Sequence, residues 1–226
     1  MTPRSPVRAA PSRATGFTLA ELAIVLTIIA LLLGGMLIPL SAQRDIQQMN
    51  EAQRQLLEIK EALHGFAVIN GRLPCPTTTS DPAAAKYGIE DASCVNVDGY
   101  LPWKSLGLPE TDPWGARRSA AADPFTGYWR YRVDSAFASA FTLTTEPTSA
   151  LTVKDASGNA MTQTTPNSPV AILYSTGPDL TANGLNADSD TTTYEAGERS
   201  SSIDDLVVWI GRPVLFSRMI TAGKLP

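Results

Sequence analysis

The stretch Gly16-Phe17-Thr18-Leu19-Ala20-Glu21 opens a run of 24 residues, 17–40, in which Glu21 is the single charged side chain. As an α-helix this run would be about 36 Å long, which exceeds the roughly 30 Å hydrocarbon core of a bilayer. The sixteen residues before it contain no acid and three arginines, Arg4, Arg8 and Arg13. Because basic flanks stay in the cytoplasm, the pattern predicts one membrane helix with the chain after about residue 40 outside.

Two ordinary interpretations of this run leave Glu21 unexplained. A cleaved secretory signal needs a shorter apolar region and a small-residue cleavage site, for which Ser41-Ala42 is a mediocre candidate. A plain signal anchor accounts for the length of the run. A carboxylate within an apolar span costs roughly 2.5 kcal/mol or more, and such residues are usually functional. Glu21 is therefore expected to have a role of its own.

The segment from Gly16 to Glu21, with its basic leader and apolar continuation, resembles the prepilin processing site of type IV pilins and type II secretion pseudopilins. The resemblance implies that prepilin peptidase cuts between Gly16 and Phe17 and methylates the new amino group of Phe17. It also implies that Glu21 pairs with the Phe17 amine of a neighbouring subunit. A buried carboxylate is tolerated when it is paired in this way. Glu21 is thus predicted to be an assembly residue.

A helical stripe continues beyond the apolar run. Its members follow a 3,4 spacing: Met49, Ala52, Leu56, Ile59, Leu63 and Phe66. Asn70-Gly71, followed by Pro74, is a typical helix stop. The sequence predicts one long helix from Phe17 to about Ile69, with Pro39 as the expected place of a kink or a locally melted stretch. A coiled coil is the alternative, but the stripe covers fewer than four heptads.

These features divide the chain into a cleaved leader (1–16), an N-terminal transmembrane and assembly helix (17–70) and a periplasmic head (71–226). The predicted fold class is α+β: a long N-terminal helix, transmembrane in its first half, packed on a small antiparallel β-sheet head, as in pilins. Residues 144–169 are rich in Thr, Ser and Pro and are expected to form an irregular loop or a hairpin. Strands are expected at 127–133, 136–143, 151–153, 170–174 and 206–210.

Cys75 and Cys94, the two cysteines of the chain, bracket a loop of twenty residues. The predicted topology places both outside the cytoplasm, where disulfides persist. Closing a loop of this length would stabilise the fold by about 3 kcal/mol. Two free buried thiols are the alternative, and the spacing does not fit a CxxC redox pair. The sequence favours the disulfide.

An acidic segment lies between the last two predicted strands. It holds seven carboxylates within 27 residues: Asp179, Asp188, Asp190, Glu195, Glu198, Asp204 and Asp205. Such a loop is either solvated or bridged by a cation such as Ca²⁺, which takes six to eight oxygens. The segment resembles the calcium-binding loop of the major type II secretion pseudopilin, although Leu180 stands where that family has Gly. The resemblance implies a structural Ca²⁺ held by Asp179 and Asp205, with Asp190 and Asp204 as further ligands.

Catalytic and nucleic-acid-binding patterns are scarce in this sequence. The chain has one histidine, His64, on the predicted helix, and no G-x-S-x-G, dinucleotide-binding or Walker motif. We expect it not to be an enzyme. A net charge of −4 also argues against a nucleic-acid partner. The segment Tyr128–Arg132 combines aromatic and cationic residues, but its alternation favours an ordinary strand.

The expected function is that of a structural subunit in a type II secretion pseudopilus or a type IV pilus-like filament. Asp112-Pro113-Trp114-Gly115 resembles the segment that leads into the sheet of pseudopilin heads, which favours the secretion subtype. A minor type IV pilin with an adhesive or DNA-binding tip is the first alternative, and the cysteine loop slightly favours it. A non-pilin membrane-anchored periplasmic binding protein is the second.

The resemblance also implies the partners and the location of the protein. The partners are prepilin peptidase, other pilin or pseudopilin subunits in a helical filament, and an inner-membrane assembly platform. The expected location is the bacterial inner membrane, crossed once with the N-terminus cytoplasmic and the head periplasmic. From there the protein would enter the pseudopilus or pilus.

Overall fold

A computed structural model describes residues 16–122, 126–187, 192–200 and 202–225, and within residues 33–42 it describes the backbone alone. The first helix, α1, spans Leu19–Asn70, close to the predicted bounds. The chain divides into two compact units, residues 1–46 and 47–226. The predicted boundary between the assembly helix and the head, at residue 70, stays a prediction.

The described part of the first unit consists of the N-terminal part of α1 and the three non-helical residues before it, 16–18. The helix begins at Leu19 rather than at Phe17 because Thr18 occupies its N-cap position and accepts a hydrogen bond from the Glu21 N–H at 3.2 Å. Within the described part of the chain, no helix combines the length and apolar character that crossing a membrane requires.

The second unit contains the remainder of α1, whose buried face confirms most of the predicted stripe. Ala52, Leu56, Ile59 and Leu63 are each at most 1% exposed. Met49 and Phe66 are half-buried, and Ala67 takes the buried position in the last turn. Gly71 ends the helix with a φ of 70°, as a left-handed C-terminal residue should.

The head has a four-stranded and a two-stranded sheet. In chain order the elements are β1 (Asp98–Tyr100), α2 (Trp103–Leu106), β2 (Arg130–Val133), β3 (Thr152–Lys154), β4 (Pro169–Ser175), β5 (Thr193–Glu195), β6 (Leu206–Gly211) and α3 (Arg212–Thr221). The larger sheet has the order β1-β2-β4-β6 with every pair antiparallel, and β3 pairs with β5 in parallel. This α+β, pilin-like arrangement of a long helix and a small antiparallel sheet confirms the predicted fold class.

The two faces of the larger sheet pack against different layers. One face joins α1 and α3 in the main core, which contains Leu56, Ile59, Leu63, Tyr131, Val133, Leu173, Ile210, Leu215 and Met219. The other face is covered in part by the two-stranded sheet, through Leu151, Val153, Ile172, Tyr174, Tyr194 and Trp209. The alternation of side chains along β2 and β4 explains why one sheet serves two cores.

One strand prediction was wrong. Residues 136–143 form no strand; Ser135–Phe137 is a 3₁₀ turn, and the chain that follows is irregular. The cause is Asp134, whose fully buried carboxylate accepts hydrogen bonds from the N–H groups of Ala136, Thr148 and Ser149. These contacts bend the chain away from the sheet directly after β2. The other predicted strands are present, although β2 begins at residue 130 rather than 127.

Candidate functional site

The predicted processing site lies on an accessible, non-helical segment. Residues 16–18 belong to no helix or strand, and Phe17 is 87% exposed. No heavy atom of the described residues would lie within 4 Å of a Cβ at Gly16. An endopeptidase needs a local stretch of chain that is free of helix and of packing, and this segment meets that requirement. The rest of the leader lies outside the described residues.

Glu21 makes reciprocal hydrogen bonds with Thr18 at the start of α1. The Thr18 N–H donates to Glu21 Oε2 at 2.8 Å, and the Thr18 hydroxyl donates to the same oxygen at 2.9 Å. Together with the bond from the Glu21 N–H to Thr18 Oγ1, this is a capping box. The carboxylate therefore lies one turn from the Phe17 amine that processing would create. In the single subunit, the Glu21 carboxylate is therefore hydrogen-bonded to the start of its own helix.

The helix after Glu21 presents large apolar side chains to its surroundings. Eight of them between Leu22 and Leu32 are 45–72% exposed: Leu22, Ile24, Val25, Leu26, Ile28, Ile29, Leu31 and Leu32. A soluble monomer rarely leaves an apolar surface of this size uncovered. This surface needs a lipid or protein environment to cover it.

Cys75 and Cys94 form the predicted disulfide, with their Cα atoms 5.4 Å apart. The alternative of two free thiols is wrong. The loop between them is also fastened by an ion pair, because Arg72 makes two hydrogen bonds to Glu90 at 2.8 and 2.9 Å. Covalent and ionic links thus hold the loop against the segment that follows α1.

The structure brings three of the predicted calcium ligands together. Because β4 and β6 are antiparallel neighbours, the acidic segment leaves β4 and enters β6 at the same end of the sheet. The N–H of Asp179 donates to Asp204 Oδ2 at 3.3 Å, and the N–H of Asn183 donates to Asp205 Oδ2 at 2.8 Å. Asn183 also donates to Asp179 Oδ2 at 3.2 Å. Asp190 lies outside the described residues.

Two carboxylates of this cluster, those of Asp204 and Asp205, have raised pKa values and incomplete hydrogen bonding. Asp205 is 3% exposed, and burial raises its pKa to about 6. Burial also raises the pKa of Asp204. The Oδ1 atoms of Asp204 and Asp205 are buried and accept no hydrogen bond in the described structure. Asp179, Asp204 and Arg199 line a cavity of about 250 Å³ beside them.

These carboxylates do not complete a metal site on their own. Among the described residues, no group of three or more His, Cys, Asp or Glu side chains is placed to hold a metal ion. The two unpartnered oxygens are the part of the arrangement that suits a cation. A Ca²⁺ ion would need further oxygens, from the backbone, water or the remainder of the acidic segment.

Sequence reasoning missed several residues that shape these sites. Asn183 and Asn186 bind the Asp205 carboxylate, and Thr18 caps the helix at Glu21. Thr18 could have been identified, because T-x-x-E before an apolar run is the sequence pattern of a capping box. The two asparagines had no such local pattern, since their partner lies about twenty residues further along the chain.

The non-helical segment at Gly16-Phe17, the capped helix start and the exposed apolar side chains all lie in the N-terminal part of the chain, where the comparison with protein families also finds a match. Residues 11–37 match the prokaryotic N-terminal methylation motif, the signature of type IV prepilins and pseudopilins. The motif supports a type IV pilin-like or pseudopilin precursor, and it implies processing by prepilin peptidase and assembly with other pilins. No curated protein and no solved structure matches the chain.

Proposed function

We propose that the protein is a pseudopilin of a type II secretion system, with a structural rather than a catalytic role. The observation that carries the proposal is the site at residues 16–21, where the exposed, non-helical segment at Gly16-Phe17 precedes a helix and lies within the methylation motif. The head supports the secretion subtype through Asp112, which accepts hydrogen bonds from the N–H groups of Trp114 and Gly115 and from the Ser175 hydroxyl. These bonds fasten the Asp-Pro-Trp-Gly turn to the end of β4.

The proposed path of the protein follows from its N-terminal chemistry. The precursor sits in the inner membrane with its head in the periplasm. Prepilin peptidase cuts after Gly16 and methylates Phe17, and an inner-membrane assembly platform adds the subunit to the pseudopilus. The exposed apolar side chains of α1 are then covered by lipid first and by neighbouring subunits afterwards. Glu21 pairs with the amine of a neighbour and sets the register of assembly.

A gene deletion separates this function from its nearest alternative. Loss of the gene should block export of the proteins that the secretion system carries and leave surface pili unchanged. Complementation with the parent gene should restore export. Normal export combined with a loss of pili, adhesion or DNA uptake would instead assign the protein to a type IV pilus as a minor subunit.

We also propose that the acidic segment binds a structural Ca²⁺ ion through Asp179, Asp204 and Asp205, with Asp190 as a further ligand. The unpartnered Oδ1 atoms of Asp204 and Asp205 support this proposal. A ligand that binds only the folded state stabilises it by about 2.7 kcal/mol at a concentration one hundred times its Kd. Millimolar Ca²⁺ should therefore raise the Tm of the parent protein.

Two matched variants test the calcium proposal. Asp179→Ala should lose the Tm increase that Ca²⁺ causes. Asp45→Ala removes an equal charge from an exposed position on α1 and should keep that increase. An unchanged parent Tm in millimolar Ca²⁺, or an equal Ca²⁺ response in both variants, would refute the site.

A further inference from the structure

The two edges of the larger sheet differ in how they are covered. At the β1 edge, the backbone of Tyr100 exchanges two hydrogen bonds with that of Thr77, at 2.9 and 3.0 Å. At the opposite edge, β6 pairs with β4 and, among the residues that the structure describes, with no further strand. The outer N–H and C=O groups of β6 are therefore available to pair with another extended segment.

The sequence of β6 does not discourage such pairing. Natural sheets often protect an edge strand with charged residues or proline. The strand reads Leu206-Val207-Val208-Trp209-Ile210-Gly211 and contains neither a charged residue nor a proline. Its first four residues are large and apolar, and they are only half-buried. The edge therefore consists of residues that favour strand pairing.

A groove of about 320 Å³ lies beside the first half of β6. Leu56 and Leu57 of α1 form one part of its wall, and Val207 and Val208 of β6 form another. Leu57 is 57% exposed, although it is a large apolar side chain. This part of α1 belongs to the same compact unit as the sheet. The groove therefore offers apolar contacts to the side chains of a segment that pairs with β6.

Asp205, the residue directly before β6, lines the same groove and is only 3% exposed. Its Oδ2 accepts hydrogen bonds from the Asn183 N–H and the Asn186 side-chain amide, at 2.8 and 2.9 Å. Its Oδ1 is buried and accepts no hydrogen bond in the described structure. Leaving a buried carboxylate oxygen without a partner is costly, and a bound cationic group would remove that cost. The groove thus combines apolar walls with one acceptor for a positive charge.

We propose that this groove binds an extended segment of a partner protein, which adds a strand to β6 and places a lysine side chain against Asp205. Lysine suits both parts of the groove, because its apolar stem can pack along the walls while its ammonium group donates to the carboxylate. In strand addition, main-chain hydrogen bonds supply affinity and side-chain pockets supply specificity. The partner segment is therefore a β-forming stretch that carries one lysine among uncharged residues.

Calcium is the other cation that could reach Asp205. The groove contains Asp205 but neither Asp179 nor Asp204, which line a separate cavity. It therefore offers one carboxylate to an ammonium group, whereas calcium needs six to eight oxygens. Because the two cations would compete for Asp205 Oδ1, binding is measured in EDTA. The proposal goes beyond a role in a filament, and it depends neither on that role nor on calcium.

Fluorescence anisotropy on the full chain in detergent, at constant ionic strength, tests the groove. The first probe is fluorescein-labelled Thr-Val-Lys-Val-Thr-amide. In the second probe norleucine replaces lysine, which keeps the apolar stem and removes the ammonium group. The third probe is the first with its three central amides N-methylated, so that it cannot pair as a strand. We expect saturable binding of the lysine probe and at least about tenfold weaker binding of the other two, since each loses hydrogen bonds.

Three variants locate the binding. Asp205→Asn should weaken the binding of the lysine probe by at least about tenfold and leave that of the norleucine probe unchanged. Glu58→Gln removes the same charge from an exposed residue next to Leu57 but outside the groove, and it should leave the affinity for both probes unchanged. Leu57→Ala should weaken the binding of both probes by about fivefold or more, because part of the apolar wall is lost.

Several results would overturn the proposal: no saturation with the lysine probe, equally tight binding of the norleucine or the N-methylated probe, or an equal loss in Asp205→Asn and Glu58→Gln. A parent protein that sediments as a dimer in detergent, together with a monomeric Asp205→Asn, would assign the groove to a second copy of the chain instead. If Asp205→Asn does not fold, the comparison of the three probes on the parent protein and on Leu57→Ala still decides.

Discussion

Glu21 has two roles in this account, one in capping its own helix and one, which is proposed, in filament assembly. In the single subunit its carboxylate accepts two hydrogen bonds from Thr18 and caps its own helix. In the proposed filament the same carboxylate faces the amine of a neighbouring Phe17. Since a carboxylate has several acceptor positions, it can keep the cap and still receive the neighbour's amine.

Replacing Glu21 by Val should leave cleavage after Gly16 largely intact and reduce incorporation into filaments. The variant loses the charge that pairs with the neighbour. Thr18→Ala is the matched control, because it weakens the helix cap by about 1 kcal/mol and keeps the carboxylate. Processing is measured by mass spectrometry and incorporation by pelleting of sheared filaments. Incorporation of Glu21→Val at the level of the parent would contradict the assigned role.

His64, the only histidine, gives the head a defined pH response. It is 3% exposed, and its ring nitrogens have no hydrogen-bond partner in the described structure. Burial lowers its pKa, and Lys60 and Arg218 lower it further, while Glu61 acts in the opposite direction. Below about pH 6.5 the unfolded chain therefore binds a proton that the folded chain resists.

The contribution of His64 to stability should be present above pH 6.5 and lost as the pH falls below it, by up to about 1.4 kcal/mol per pH unit. Asp205, with its pKa raised to about 6, has the opposite effect over part of this range. The comparison must therefore be made between the parent and His64→Phe. Urea unfolding at pH 5 and pH 7.5 should show a smaller loss on acidification for the variant. Equal losses would rule out this role for His64.

At the scale of elements, the turn that leads into β2 depends on two glycines in contact. A Cβ at Gly127 would lie 2.2 Å from Gly115 Cα and 2.5 Å from Asp112 Oδ1. Gly127 also has a φ of 59°, which an L-residue adopts with strain. Asp112 has its three hydrogen bonds at this point, so the packing connects the Asp-Pro-Trp-Gly turn with the sheet.

Gly127→Ala should destabilise the head by about 2 kcal/mol more than Gly158→Ala does. Gly158 has a φ of 82°, but a Cβ added there would meet no heavy atom within 4 Å, so both variants carry backbone strain and only one adds a clash. The difference between their free energies of unfolding isolates the close packing. Equal destabilisation of the two variants would show that the glycine contact contributes nothing beyond its backbone angle.

Helices and strands could be predicted where consecutive residues of the sequence carry a regular apolar pattern. The 3,4 stripe of α1 and the β-branched, apolar runs of β4 and β6 indicate both type and position. The strand predicted at 136–143 was wrong because the apolar pattern there is typical of a strand. The deciding contacts are not local, since Asp134 accepts hydrogen bonds from N–H groups up to fifteen residues away. β1, α2, β5 and α3 were not predicted. The two strands have three residues each, too few for a periodic pattern.

For the whole molecule, the sequence was most informative at its N-terminus. The methylation motif covers residues 11–37, and it is recognised from residues that are neighbours in the sequence. The acidic segment depends instead on the pairing of β4 with β6, which brings together residues far apart in the chain. Residue types could suggest a cation site there, but the structure was needed to show which carboxylates lie close together.

The most direct test of the account is the intact mass and N-terminal sequence of the membrane-extracted protein, produced with and without prepilin peptidase. The account predicts an N-terminus at Phe17 with one added methyl group, and only when the peptidase is present. An uncut chain in both cases, or an N-terminus near Gln43 that does not depend on the peptidase, would contradict it.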